Sequence, residues 1–138
     1  MPHRILVVED QLLIALHIED AVLALGHEVA GIAANLADAL DAGDDADIAL
    51  VDVHLQDGPT GPDIGRELAA RGLTVIFMTA NPEAIASGIP GTLGVISKPL
   101  FDLELIGSIQ FAAEVRDGRN ATPPERMRCF DRRATALH

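Results

Sequence analysis

The 138-residue chain has no tryptophan or tyrosine and only four phenylalanines, so its core must be built from aliphatic side chains. Its 49% apolar content is enough for the core of one domain. No apolar run approaches the roughly 18 residues that a membrane span needs, and acids follow the first apolar run directly. Neither a membrane segment nor a signal peptide is therefore predicted. The single cysteine, Cys129, cannot form a disulfide within the chain, which predicts a reducing, cytoplasmic location.

Basic residues are scarce and unevenly placed. The formal net charge is −11, from 10 lysines and arginines against 21 acids. Six arginines lie within residues 116–138, so the preceding body is strongly acidic. Such a body repels nucleic acid, which is not expected as a partner. The basic tail can fold back on the body, meet an acidic partner or remain solvated.

Short apolar runs alternate with helical patterns along most of the chain. The runs at 4–8, 28–33, 48–53, 74–78 and 93–97 predict strands, and the segments 12–25, 36–42, 62–71 and 103–115 predict helices. A further helix, capped by Asn81, is predicted to be short because Gly88, Pro90 and Gly91 interrupt it. Asp102 is the predicted cap of the last helix. This alternation indicates an α/β fold with a parallel sheet and helices on both faces.

Five side chains fall at the ends of four predicted strands. They are Glu9, Asp10, Asp52, Thr79 and Lys98, the last being the only lysine in the chain. The carboxyl ends of parallel strands meet at one edge of the sheet, where ligands bind in such folds. We therefore expect three carboxylates, a hydroxyl and an ammonium to converge on one patch.

This set of groups suits the transfer of a phosphoryl group. Clustered carboxylates repel one another and attract a cation, and oxygen ligands of this kind suit Mg²⁺. Asp52 can act as a nucleophile and form an acyl phosphate. Lys98 and Thr79 can then hold the oxygens of the phosphoryl group.

The pieces resemble the receiver domain of two-component response regulators. The resemblance rests on residues 5–10, 50–52, 79–80 and 97–99, and it covers residues 3 to about 116. Residues 57–61 and 77–83 are similar to those of receivers from alphaproteobacterial stress-response regulators. The resemblance implies a flavodoxin-like, doubly wound sheet of five parallel strands in the order 2-1-3-4-5.

The resemblance also implies a role for each site residue. Asp52 would accept phosphate from a sensor histidine kinase or a histidine phosphotransfer protein. Glu9, Asp10, Asp52 and the backbone carbonyl of His54 would bind Mg²⁺. Thr79 and Lys98 would contact the phosphoryl group, and the Lys98–Pro99 peptide bond would be cis.

The sequence departs from the family pattern at two places. Val95 stands where the family often has an aromatic switch residue, and the helix after Asn81 is short.

Three other functions compete with the receiver interpretation. A phosphatase of the aspartyl-nucleophile kind would want an acid at His54, and a dinucleotide-binding enzyme would want a glycine-rich turn after the first strand. A phosphorylation-independent scaffold or adaptor is the remaining alternative, although it would usually lack one of the site residues.

The sequence thus predicts a receiver domain at 1–117 and a basic tail at 118–138. The chain is expected to act alone as a phosphoacceptor rather than as an enzyme, and to signal to a downstream protein target by contact or phosphorelay. Thr122 to Glu125 has capping-box spacing, and Met127, Phe130, Ala134 and Leu137 form an apolar stripe. A helix at 122–137 is therefore predicted, packed on the same copy or on a second copy in a homodimer.

Overall fold

The computed structural model describes residues 2–130 of the chain. The helices and strands follow in the order β1 (Arg4–Val8), α1 (Leu12–Ala24), β2 (Glu28–Ala33), α2 (Leu36–Ala42), β3 (Ile48–Asp52), α3 (Gly61–Ala70), β4 (Thr74–Thr79), β5 (Gly94–Ser97), α4 (Asp102–Arg116) and β6 (Arg128–Cys129). Within residues 2–130, no helix is both long and apolar enough to cross a bilayer.

The sheet has the order β2-β1-β3-β4-β5-β6. Its first five strands are parallel, which confirms the predicted flavodoxin-like order 2-1-3-4-5. Side chains alternate across each strand, so Ile5 and Val7 face one side of the sheet while Leu6 and Val8 face the other. Helices α1 and α4 cover the first side, and α2 and α3 cover the second. Because both faces are buried, the central strands are apolar except at their ends.

Two predicted helix starts differ from the structure. Asn81 lies at the predicted N-cap position, but its side chain makes no cap hydrogen bond, and the segment after it is a 3₁₀ turn at Pro82–Ile85 rather than an α-helix. The glycines and proline at 88–91 leave too short a segment for a longer helix. Asp102 is the first residue of α4, and Phe101 takes the cap position in an extended conformation. The Asp102 carboxylate instead pairs with His17 Nε2 at 3.2 Å.

The tail differs most from the prediction. Residues 128 and 129 form β6, which pairs antiparallel with β5, so the predicted helix over 122–137 is wrong for residues 122–130. The remainder of that prediction lies outside the described residues. The apolar spacing of Met127 and Phe130 fits a strand as well, because the two side chains pack on opposite sides of the sheet.

Candidate functional site

The residues predicted to form the site meet at the carboxyl edge of the sheet. Asp52 and Thr79 are the last residues of β3 and β4. Glu9 and Lys98 directly follow β1 and β5. Glu9, Asp52 and Thr79 are buried, while Asp10 is partly exposed. The order of the strands therefore brings together groups that are up to 89 positions apart in the sequence, as Glu9 and Lys98 are.

Lys98 joins two of the carboxylates. Its Nζ lies 2.9 Å from Asp52 Oδ2 and 2.7 Å from Glu9 Oε1. Burial opposes the charge on this ammonium, but its contacts with Glu9 and Asp52 outweigh that effect and raise the pKa of Lys98. The cation therefore stays charged at neutral pH, where it offsets part of the repulsion between the acids.

Glu9 is held firmly in place. Its backbone N–H donates to the carbonyl of Ala33, and its Oε2 accepts a hydrogen bond from the N–H of Gln11. Burial raises the pKa of the Glu9 carboxyl, and the nearby charge of Asp52 raises it further. Lys98 and the Gln11 N–H act in the opposite direction without reversing the shift. Burial thus opposes the charged form of Glu9, and an added positive charge at this site would favour that form.

Hydrogen bonds to Asp57 fix the loop that follows Asp52. The N–H of His54 donates to Asp52 Oδ1 at 3.4 Å, and the His54 side chain is exposed. Farther along, the Asp57 carboxylate accepts hydrogen bonds from the Thr60 hydroxyl at 2.7 Å and the Leu36 N–H at 3.0 Å. These two bonds lower the pKa of Asp57. They tie the loop that carries His54 to the start of α2.

Thr79 faces the same cavity as Asp52 and Lys98. The cavity has a volume of about 240 Å³, and its lining also includes Gln11, His54, Ala80 and Asn81. The Thr79 hydroxyl oxygen accepts the N–H of Asn81 at 3.1 Å, and the Thr79 carbonyl accepts the N–H of Lys98 at 2.9 Å. The Lys98–Pro99 bond is cis, as expected.

Gln11 and Asn81 were not predicted as site residues. Each contributes a backbone N–H to a site side chain, Gln11 to Glu9 and Asn81 to Thr79. Their positions two residues after those partners are the only sequence signal that could have marked them. Such backbone contacts depend on turn geometry, which residue type does not specify.

The acids offer a suitable set of oxygens for a divalent cation. One oxygen from each of Glu9, Asp10 and Asp52 lies within 4.8 Å of the others. Glu9 Oε1 is buried, and it accepts no hydrogen bond of standard geometry from residues 2–130 although it lies close to the Lys98 ammonium. An under-satisfied carboxylate oxygen beside two more acids fits Mg²⁺, which takes one or two carboxylates and keeps several waters.

Similar proteins include response regulators. No family model matches the chain. The regulator PhyR of Methylorubrum extorquens is 36% identical over 104 residues, which cover 72% of this chain and 39% of that protein. The crystal structure of the response regulator PhyR from Brucella abortus is 31% identical with a TM-score of 0.75, covering 86% of this chain and 50% of that one.

The receiver (REC) domain of PhyR from Erythrobacter litoralis is matched over almost its whole length. Its solution structure is 28% identical with a TM-score of 0.70, and the match covers 89% of this chain and 96% of that domain. The chain contains a receiver domain of the response-regulator type. The predicted resemblance to this family is confirmed. The match spans 39% of the curated PhyR and half of the Brucella protein.

Proposed function

We propose that this receiver accepts a phosphoryl group on Asp52 from a sensor histidine kinase or a histidine phosphotransfer protein, in a Mg²⁺-dependent reaction. It then signals to a downstream protein by contact, or passes the phosphoryl group along a phosphorelay. The observation that carries the proposal is the placement of one ammonium between two buried carboxylates, at a cavity that also contains a threonine hydroxyl. The protein acts as a phosphoacceptor rather than as an enzyme with its own substrate.

The chain supplies both the nucleophile and a counter-charge. A carboxylate oxygen of Asp52 forms a bond to phosphorus as the bond from phosphorus to the donor's imidazole nitrogen breaks. The departing imidazole keeps the bonding electron pair and takes a proton from solvent. Lys98, already 2.9 Å from Asp52, then pairs with an oxygen of the phosphoryl group. Thr79 is close enough to the cavity to hold a second oxygen through its hydroxyl.

Glu9, Asp10, Asp52 and the carbonyl of His54 are the proposed Mg²⁺ ligands. When bound, the ion supplies positive charge to the oxygens of the transferring group. The hydrogen bonds that Asp57 accepts from Leu36 and Thr60 restrain the loop that carries His54. A bound ion would share Glu9 and Asp52 with Lys98, and the Lys98 ammonium would then be available to pair with the phosphoryl group.

The phosphodonor protein docks on an apolar surface beside the site. Leu12, Leu13 and Leu16 on α1 are 66%, 82% and 40% exposed, and Phe101 and Leu103 at the start of α4 are 55% and 86% exposed. A cavity of about 250 Å³ beside Leu13 is lined by that residue, Lys98 and Pro99, among others. Exposed apolar groups clustered at one place mark an interaction surface. The position of this surface beside Lys98 would bring a donor histidine close to Asp52.

Intact-mass measurement tests the proposal. Wild-type protein incubated with acetyl phosphate and Mg²⁺ should gain the mass of one phosphoryl group, and chelation of the metal should prevent the gain. Asp52→Asn should gain nothing, while the matched variant Asp63→Asn, at an exposed acid on α3, should still be labelled. Absence of labelling in the wild type under all these conditions would favour the phosphorylation-independent scaffold instead.

A further inference from the structure

The open edge of the parallel sheet is covered by the chain itself. Residues 127–130, called here the tail strand, run antiparallel to β5, with Gly94 opposite Cys129 and Val95 opposite Arg128. The N–H of Phe130 donates to the carbonyl of Leu93 at 2.8 Å. An uncovered edge strand presents a row of unpaired backbone groups, to which another extended segment can pair. The tail strand occupies the edge of β5 in this way.

Gly94 makes this close approach possible. A Cβ added at Gly94 would lie 2.6 Å from the carbonyl oxygen of Arg128, 3.3 Å from the Cα of Cys129 and 3.3 Å from the Cγ of Met127. These three nearest atoms all belong to the tail strand. A glycine inside a strand often marks a place where another backbone approaches. The glycine of β5 is therefore matched to an extended segment lying across it.

Side chains on both sides of the edge define what fits there. Met127 is 8% exposed and joins the core beneath α4, while Phe130 packs on the opposite side of the sheet beside Gly88. Arg128 pairs with Glu83 at 2.7 Å. The edge thus accepts an apolar residue at the position of Met127, an arginine at 128 and an aromatic residue at 130.

The tail strand is weakly held for a segment that covers an edge. It forms only two paired residues, and the Arg128–Glu83 contact is largely exposed, so solvent screens and weakens it. Before it, Arg126 pairs with Glu104 at 3.0 Å and lies over the Phe101 ring, again at the surface. Because the segment is tethered to the domain, it competes for the edge at an effective concentration of about millimolar.

We propose that the edge of β5 is a binding site for an extended segment of a partner protein, and that the tail strand is its built-in competitor. The partner segment pairs antiparallel with β5 through backbone hydrogen bonds, as in other cases of strand addition. It carries an arginine to meet Glu83, flanked by an apolar residue at the place of Met127 and an aromatic one at the place of Phe130. A cavity of about 400 Å³ beside Phe130, lined by residues 87–92, leaves room for a side chain larger than phenylalanine.

A peptide with the sequence of residues 120–130 serves as the probe for this site. Its binding is followed, under reducing conditions and at up to millimolar peptide, by the amide shift of Val95 in full-length labelled protein. The variant Met127→Asp should bind the peptide, because an aspartate in the core position weakens the chain's own tail strand. The wild type should need a several-fold higher peptide concentration for the same shift, since its own tail competes.

Two further variants test whether the peptide occupies the edge. Adding Gly94→Ala to Met127→Asp should abolish the shift, because the new Cβ meets any backbone lying there. The matched control is Gly31→Ala, a strand glycine whose added Cβ meets only Ala42 and Leu6 at ordinary distances of 3.5 and 3.8 Å, and it should bind as before. Should the Gly94→Ala protein fail to fold, Glu83→Arg replaces it. That variant should bind a peptide with glutamate at the place of Arg128 better than the original peptide.

Three outcomes would overturn the proposal. The first is the absence of a Val95 shift in Met127→Asp. The second is equal binding with alanine at Gly94, or no change of preference in Glu83→Arg. The third is a wild-type dimer that becomes a monomer in Met127→Asp, because the occupant of the edge would then be the tail of a second copy.

Discussion

Lys98 and Asp52 are joined across the carboxyl edge of the sheet by an ion pair of 2.9 Å, and the same ammonium lies 2.7 Å from Glu9. The cation thus offsets the charge of two buried acids before any metal or phosphoryl group arrives. This arrangement places a counter-charge directly beside the nucleophile.

Replacing Lys98 with methionine should make the fold depend on Mg²⁺. Without the ammonium, Glu9 and Asp52 are left as uncompensated buried acids, which costs about 3 kcal/mol of unfolding free energy in metal-free buffer. Added Mg²⁺ should restore more stability to Lys98→Met than to the wild type, as measured by thermal melts. Arg126→Met, which removes an exposed pair with Glu104, is the control and should cost less than about 1 kcal/mol. Equal Mg²⁺ effects on Lys98→Met and wild type would contradict this role.

Asp10→Asn should weaken Mg²⁺ binding and leave the fold intact. Asp10 is partly exposed at the edge of the site, so its loss removes an oxygen ligand without opening the core. Loss of a group that contacts a metal ligand commonly lowers metal affinity about tenfold. Because Asp10 is a proposed ligand itself, the Mg²⁺ affinity should fall by at least that factor. Titration calorimetry with Mg²⁺ measures this, with Asp20→Asn on α1 as the matched change of charge. A large fall in metal-free melting temperature would show instead that Asp10 has a structural role.

Leu13→Arg should slow phosphorylation by a protein donor but not by acetyl phosphate. Leu13 is 82% exposed beside Lys98, so a charge there disturbs docking without entering the site. The comparison uses any phosphorylated histidine kinase that labels the wild type. Leu23→Arg, at the other end of α1 and 54% exposed, should react as the wild type does with both donors. If Leu13→Arg and Leu23→Arg slow phosphorylation by the kinase equally, the donor does not dock beside Leu13.

The free energy of unfolding should fall as the pH drops below about 6.5, the ordinary histidine pKa. His27 accepts the N–H of His3 through Nδ1 at 3.0 Å, and burial together with the nearby His3 lowers the pKa of His27. Between the lowered pKa and the ordinary one, the unfolded chain binds more protons, so stability increases with pH. His27→Asn keeps an acceptor that does not titrate. Denaturant unfolding at several pH values should show a smaller slope in this variant, and an unchanged slope would assign the effect elsewhere.

The core strands and the site could be predicted because their signals are local. Apolar runs with turn residues on both sides mark β1 to β5, and strand order then brings Glu9, Asp52, Thr79 and Lys98 to one edge. The tail strand could not be predicted this way. The spacing of Met127 and Phe130 suits a helix equally well, and what selects the strand is an edge of β5 made accessible by Gly94. That contact joins segments more than 30 residues apart, which periodicity alone cannot detect.

The most direct test of the central claim is chemical location of the phosphoryl group. Protein treated with acetyl phosphate and Mg²⁺ is reduced with borohydride, which converts a phosphorylated aspartate to homoserine, and peptide mapping then identifies the converted residue. The account predicts conversion at Asp52 alone, and none when Mg²⁺ is chelated. Conversion at Asp10 or Asp57 with Asp52 unchanged, or labelling that persists without metal, would contradict it.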